Sequence, residues 1–216
     1  ARVINEDGTA VRIEDYVSRY YYYNLCFECW IYHPTIMCRK DALESVGGYT
    51  IPYAEEYELF WQLSRRYLIW NLEEVLLDYR ISSGSLHKVV KKVEYDEALL
   101  DLLQRNIRYY VGDLKLSGEE LECLRHNFQP LLNRNSIAAV VNCLEKLEKI
   151  TEKILHTENV NHDAGAIREA AYHKRKFIIN FFARNFSKWK GFLLLIRLGQ
   201  WKLLQKLAKE HLGRLS

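Results

Sequence analysis

Three glutamates occupy positions 55, 56 and 58, directly after the loop 47–53 and at the front of a run containing Tyr57, Phe60 and Trp61. A carboxylate held at the first turn of a helix can take the proton of a hydroxyl as its oxygen attacks an electrophilic carbon, provided it reaches that hydroxyl within hydrogen-bond distance. Acidic residues also favour a first helical turn for electrostatic reasons alone, so the cluster has a purely structural reading as well. Two arginines, Arg39 and Arg80, carry planar guanidinium groups suited to bidentate contact with carboxylate or phosphate. Arg39 has surface salt bridging as an equal alternative. His33 stands ready to orient a loop or a bound molecule, and a satisfied structural role fits it as well; His87 is a second imidazole further along. Cys26 and Cys29 form a lone C-x-x-C with no second pair following, and next to Phe27 and Trp30 they read as small apolar side chains rather than a redox or zinc motif.

The elements that position these groups follow from periodicity. The opening residues 1–16 read as a β-hairpin turning at Asp7 and Gly8, with the alternation Val11, Ile13 in its second strand. The chain begins on this hairpin at Ala1, as a processed or excised piece would. Residues 17–30 are aromatic and apolar, and both helical and extended readings stay open. The stretch 33–39 predicts a buried strand entered through Pro34. Residues 41–46 predict a short helix stopped by Gly47 and Gly48, and 54–66 an amphipathic helix with Glu55, Glu56 and Glu58 at its positive end. Segments 67–72 and 75–81 predict two strands that lead into a polar loop at 82–85.

Beyond residue 94 the period is helical throughout. One helix is expected from about Ala98 through the run ALLDLLQRNIRYYVGDL, and Ser117 with Glu120 makes a capping box for the next. An apolar stripe of Ile137, Val140, Val141, Leu144, Leu147, Ile150 and Ile154 marks a third, 163–184 a fourth and 191–211 a last. The change of period near residue 95 divides the chain into a mixed part, 1–95, and an all-helical part, 96–216. The fold class is α+β and mostly helical.

Four stretches taken together resemble the back half of the catalytic domain of inverting family 2 glycosyltransferases of the GT-A fold. They are His33-Pro34-Thr35-Ile36-Met37-Cys38-Arg39-Lys40, Val46-Gly47-Gly48-Tyr49, Ala54-Glu55-Glu56-Tyr57-Glu58-Leu59-Phe60-Trp61 and Leu76-Leu77-Asp78-Tyr79-Arg80, in the family's order. The resemblance implies that residues 1–95 are the acceptor-side part of such a domain. It puts Glu55 and Glu56 at the family's acidic pair, with Glu56 at the position of the general base. A glutamate there departs from the family's aspartate by one methylene. Phe60 and Gln62 replace the Trp and Arg common further along that helix, and Ser82 stands where many members have a histidine, a place His87 is near enough to fill. His33, Arg39, Arg80, Trp61 and His87 are the substrate-binding candidates. The resemblance also implies a donor-binding half ending in D-x-D, whose carboxylates hold Mg²⁺ or Mn²⁺ against the diphosphate of a nucleotide-sugar. Asp7, alone in NEDG, lacks that spacing. The metal and donor sites are therefore expected on polypeptide outside this chain, the partners being a nucleotide-sugar and a glycan or lipid-linked acceptor. By itself the chain is expected to be inactive.

Net charge is +3 with 49% hydrophobic and 27% charged residues, a composition that argues against disorder. The balance is uneven. From Ile167 to the C-terminus there are twelve Lys or Arg against Glu169 and Glu210, so the remainder is acidic. The basic region interleaves Phe177, Ile178, Phe181, Phe182, Phe186, Trp189, Phe192, Leu193, Leu194, Leu195 and Trp201. Such a mixture either lies on a membrane surface or packs a helical bundle. Its longest apolar run, 192–196, is too short to span a bilayer. Nucleic acid is disfavoured, since no recognisable reading motif accompanies the charge. The irregularly spaced cysteines and the lack of a secretory signal pattern lead us to expect a cytoplasmic protein, peripheral at most to the inner membrane face, with self-association admitted. The competing reading is a helical interaction or scaffold module without catalysis.

Overall fold

The computed structural model describes residues 1–14, 16–82 and 91–212, the side chains of 209–212 excepted. It is an α+β fold, mostly helical, with one three-stranded mixed sheet. The chain forms two compact units, Ala1–Asp113 with Glu152–Ala170, and Leu114–Thr151 with Ala171–Ser216.

In the first unit, β1 (Arg2–Ile4) is the central strand. It pairs antiparallel with β2 (Ala10–Ile13) and parallel with β3 (Asp78–Arg80), giving the order β2-β1-β3. The hairpin turns where the sequence places it. Gly8 adopts φ +89°, which only glycine reaches without strain, and Asn5 N–H donates to Thr9 O at 2.9 Å. Arg2 grips Asp78 through two parallel bonds of 2.8 and 3.1 Å, fixing the register of the parallel pair. Val3 and Ile4 are buried, whereas β2 is exposed along its length.

The aromatic segment after the hairpin is helical: a 3₁₀ turn at Ser18–Tyr20 runs into α1 (Tyr21–Asn24), which is wholly buried. Its continuation supplies Leu25, Cys26 and Phe27 to the core. α2 (Lys40–Ser45) ends in a Schellman motif, Gly48 N–H reaching Leu43 O and Gly47 N–H reaching Glu44 O, both at 3.1 Å. α3 (Glu55–Ser64) buries Tyr57, Leu59, Phe60, Trp61 and Leu63, with Tyr57 meeting the α1 region and Trp61 meeting α4 (Lys92–Tyr110). The Tyr57 hydroxyl donates to Leu25 O at 2.9 Å, while Trp61 meets Tyr109 and Tyr110 edge-on at centroid distances of 6.0 and 5.7 Å. α4 begins at Lys92, several residues before the expected start, and belongs to the first unit.

Two of the predicted strands are absent. Instead of a buried strand, 33–39 opens with a 3₁₀ turn at His33–Thr35 and continues exposed, Met37 being 99% accessible. Pro34 has the fixed φ suited to a first helical turn, and the Thr35 hydroxyl closes that turn on Tyr32 O at 2.7 Å. Residues 67–72 form no strand because side chains take up their backbone groups. Asn161 donates to Ser64 O (2.7 Å) and Tyr67 O (2.8 Å) and accepts from Ile69 N–H (3.0 Å), and Ser18 Oγ accepts from Asn71 N–H (2.8 Å). Of 75–81 only β3 is strand.

The second unit contains α5 (Gly118–Leu124), α6 (Gln129–Asn133), much of α7 (Ile137–Leu155) and α8 (Ala164–Asn185), α9 (Lys188–Arg197) and α10 (Trp201–Leu212). α6 is not anticipated by periodicity; it is a single short turn of helix with Pro130 near its start. The predicted α7 stripe is buried from Val140 onward. The single last helix expected over 191–211 is instead two. Gly199, at φ +64°, closes α9 with Gln200 N–H on Leu195 O (2.8 Å) and Gly199 N–H on Ile196 O (3.0 Å), another Schellman ending. Among the described residues no helix is long and apolar enough to cross a membrane.

Candidate functional site at the head of α3

The backbone entering α3 is unusual. Tyr53 and Ala54 both have left-handed conformations, φ +58° and +52°, and neither is glycine. A left-handed L-residue costs on the order of 1–2 kcal/mol, and consecutive ones persist only where the surroundings hold them. Ala54, fully buried, is the N-cap residue and has no side chain with which to cap the helix. The first turn is thus left to Glu55 and Glu56, both half-buried, and to Glu58, which is buried.

The three carboxylates have different surroundings. Glu58 accepts from Gln62 Nε2 at 2.7 Å and pairs with Arg105 of α4. Glu56 Oε1 accepts from the Tyr95 hydroxyl at 2.8 Å. The charges of Glu55 and Glu56 also act on Tyr49, whose phenol is raised above its ordinary pKa first by burial and then by Cys38 and these two carboxylates. Tyr95 is raised likewise, by burial, by its bond to Glu56 and by the charge of Glu55. Burial pushes the Cys29 thiol up to about 12, Ile31 O opposing and the Glu56 charge adding to it.

Tyr49 is bonded to His33. Their hydroxyl and Nε2 share a hydrogen bond of 2.6 Å, and the imidazole lies edge-on to Phe60 at 6.2 Å. Phe60 is one turn beyond Glu56 on α3. Tyr53 packs its ring against Tyr95 at 6.3 Å. The head of α3 therefore gathers two carboxylates, an imidazole–phenol pair and aromatic rings. Such a set can accept a proton, orient a hydroxyl through Tyr49 or His33, and offer apolar ring faces to a ligand.

Of the residues expected from sequence, Glu55, Glu56 and His33 come together here. Arg39 is tied to Asp41 through bonds of 3.0 and 2.5 Å on an exposed surface. Arg80 donates to Asn5 O (3.1 Å) and Glu6 O (2.6 Å), pinning β3 to the hairpin turn. Trp61 is 1% exposed, a core side chain with no face left for a ligand. Its position on α3 is set by burial, since it falls on the inward side with Tyr57. His87 lies outside the described residues. Tyr95 and Tyr53 carry no sequence signal that would have placed them here; Tyr49 sits within the quoted glycine motif, where it has no assigned role. Among the described residues no group of three or more His, Cys, Asp and Glu side chains is arranged to hold a metal ion. Cys26 is fully buried and Cys29 partly so, and neither forms a disulfide.

Comparison with protein-family models, with curated proteins and with solved structures gives no match for this chain.

Proposed function

We propose that the first unit is the acceptor-side part of a nucleotide-sugar glycosyltransferase of the GT-A type, with Glu56 as the base. The observation that carries this reading is the half-buried Glu56 carboxylate, with one oxygen held by Tyr95 at 2.8 Å and the helix entered through a strained, uncapped turn. The order of the four sequence stretches supports it independently.

In this reading an acceptor hydroxyl gives its proton to Glu56 as its oxygen bonds to the anomeric carbon and the carbon–diphosphate bond breaks on the opposite face, inverting the centre. Tyr95 fixes the rotamer of the carboxylate, the positioning on which such a transfer depends. The His33–Tyr49 pair orients a second acceptor hydroxyl. In this reading the nucleotide-sugar and its divalent cation are held by polypeptide other than the described residues.

The test is Glu56→Gln in the protein that carries the donor half. Transfer should fall by roughly 10²–10⁴-fold with nucleotide-sugar binding and melting temperature unchanged; full turnover would remove Glu56 from the role. A second reading, a non-catalytic interaction module, is favoured by the exposed apolar side chains Leu68, Trp70, Leu72 and Leu76. Amide shifts at His33, Tyr49 and Tyr95 on addition of mono- and disaccharides would favour the first reading. Shifts confined to 68–76 on addition of a protein partner would favour the second.

A further inference from the structure

We infer that the outward face of α9 and the start of α10 form a docking surface for an anionic lipid bilayer. α9 presses inward through Gly191, Leu194 and Leu195, all buried. Gly191 approaches α8 so closely that a Cβ built there would lie 2.3 Å from Ala183 O, which fixes the rotation of the helix. The opposite side then presents Trp189 (71% exposed), Leu193 (37%) and Ile196 (48%) at spacings of four and three; beyond the Gly199 turn, Trp201 at the start of α10 is exposed as well (58%). On the same two helices or at their ends Lys188, Arg197, Lys202 and Lys206 are exposed and make no ion pair among the described residues.

The sequence predicts one aromatic and basic mixture, and the structure sorts it. Ile178, Phe182, Phe186, Leu194 and Leu195 build the core, leaving the stripe to solvent. From 171 to 209 there is no aspartate or glutamate. Charge complementarity selects the occupant: a second copy docked through the same face would set this cationic rim against its own likeness, whereas anionic headgroups neutralise it while the indoles enter the interfacial layer. The exposed apolar segment of the first unit contrasts with this, because Glu73 and Glu74 lie within it and would be repelled by the same lipids.

The experiment is co-sedimentation of the full chain with vesicles of phosphatidylcholine alone or mixed equally with phosphatidylglycerol. Binding should be at least about tenfold stronger to the mixed vesicles and fall steeply with added salt. Trp189→Ser with Trp201→Ser should reduce it about tenfold, and Lys188→Glu with Arg197→Glu and Lys202→Glu, all at exposed positions, should abolish it. Circular dichroism melting checks that each variant stays folded; if the tryptophan pair does not, the charge variants decide. Equal binding to both vesicle types, binding to neither, or a concentration-dependent dimer lost in Trp189→Ser would overturn the proposal.

Discussion

The N-termini of α3 and α5 are opposite solutions to one problem. Every helix start leaves backbone N–H groups without partners. At α5 the Ser117 hydroxyl accepts from Glu120 N–H (3.3 Å) and Glu120 Oε2 accepts from Ser117 N–H (2.7 Å), a complete capping box. Glu120 is also bonded by Asn142 at 2.8 Å and by Lys146 through both oxygens, and is 4% exposed. At α3 the cap is an alanine in a left-handed conformation, and Glu56 is held through one oxygen only. Both are acids in a first turn. A carboxylate with every lone pair occupied is architecture, and one held from a single side keeps capacity for another proton.

That contrast breaks if the two acids respond alike to removal. Glu120→Ala strands the Lys146 ammonium and two further donors, and should lower unfolding free energy by about 3 kcal/mol. Glu56→Ala should cost under about 1 kcal/mol. Chemical denaturation of both variants measures the difference. Gly191→Ala sharpens the reading of the second unit. A methyl group against Ala183 O must push α8 and α9 apart, so a loss of about 2 kcal/mol is expected. Ser117→Ala should cost about 1 kcal/mol. Ala54→Gly should instead stabilise by about 0.5–1 kcal/mol, because glycine takes the left-handed φ without penalty. A loss at position 54 would mean that its buried methyl outweighs backbone strain.

A separate effect, confined to alkaline pH, concerns Cys29. Its thiol has an ordinary value of 9.0 when exposed and about 12 in the fold, chiefly through burial. The folded value is the higher one, so the associated stability is complete below pH 9 and is lost as pH rises towards 12. Cys29→Ser should flatten the alkaline decline. With a thiol reagent near neutral pH, exposed Cys38 should react first, while Cys26, Cys123 and Cys143 wait for unfolding.

Much of this architecture is legible in the residues. The hairpin, α2, α3, the capping box, α7 and α8 follow from glycine positions, caps and apolar period, which are local signals. The errors arise where distant groups decide. Segment 67–72 reads as strand because its side chains suit one, yet its hydrogen bonds go to Asn161 and Ser18. Gly199 reads as helix interior, although it ends α9. At the α3 head the glutamates and His33 announce themselves, whereas Tyr95 comes from thirty-nine positions beyond Glu56 and gives no hint of the meeting. Trp61 and Arg80 show the converse: a residue type suited to binding is claimed by the core or by a turn.

The Asn161 amide has a consequence for how the chain tolerates change. It fastens Ser64, Tyr67 and Ile69 from more than ninety positions away. A one-residue insertion between 159 and 163 would withdraw all three bonds at once, whereas the same insertion in the exposed stretch 73–76 would touch none of them. Around this amide, a change of length is therefore accommodated at 73–76 and resisted at 159–163.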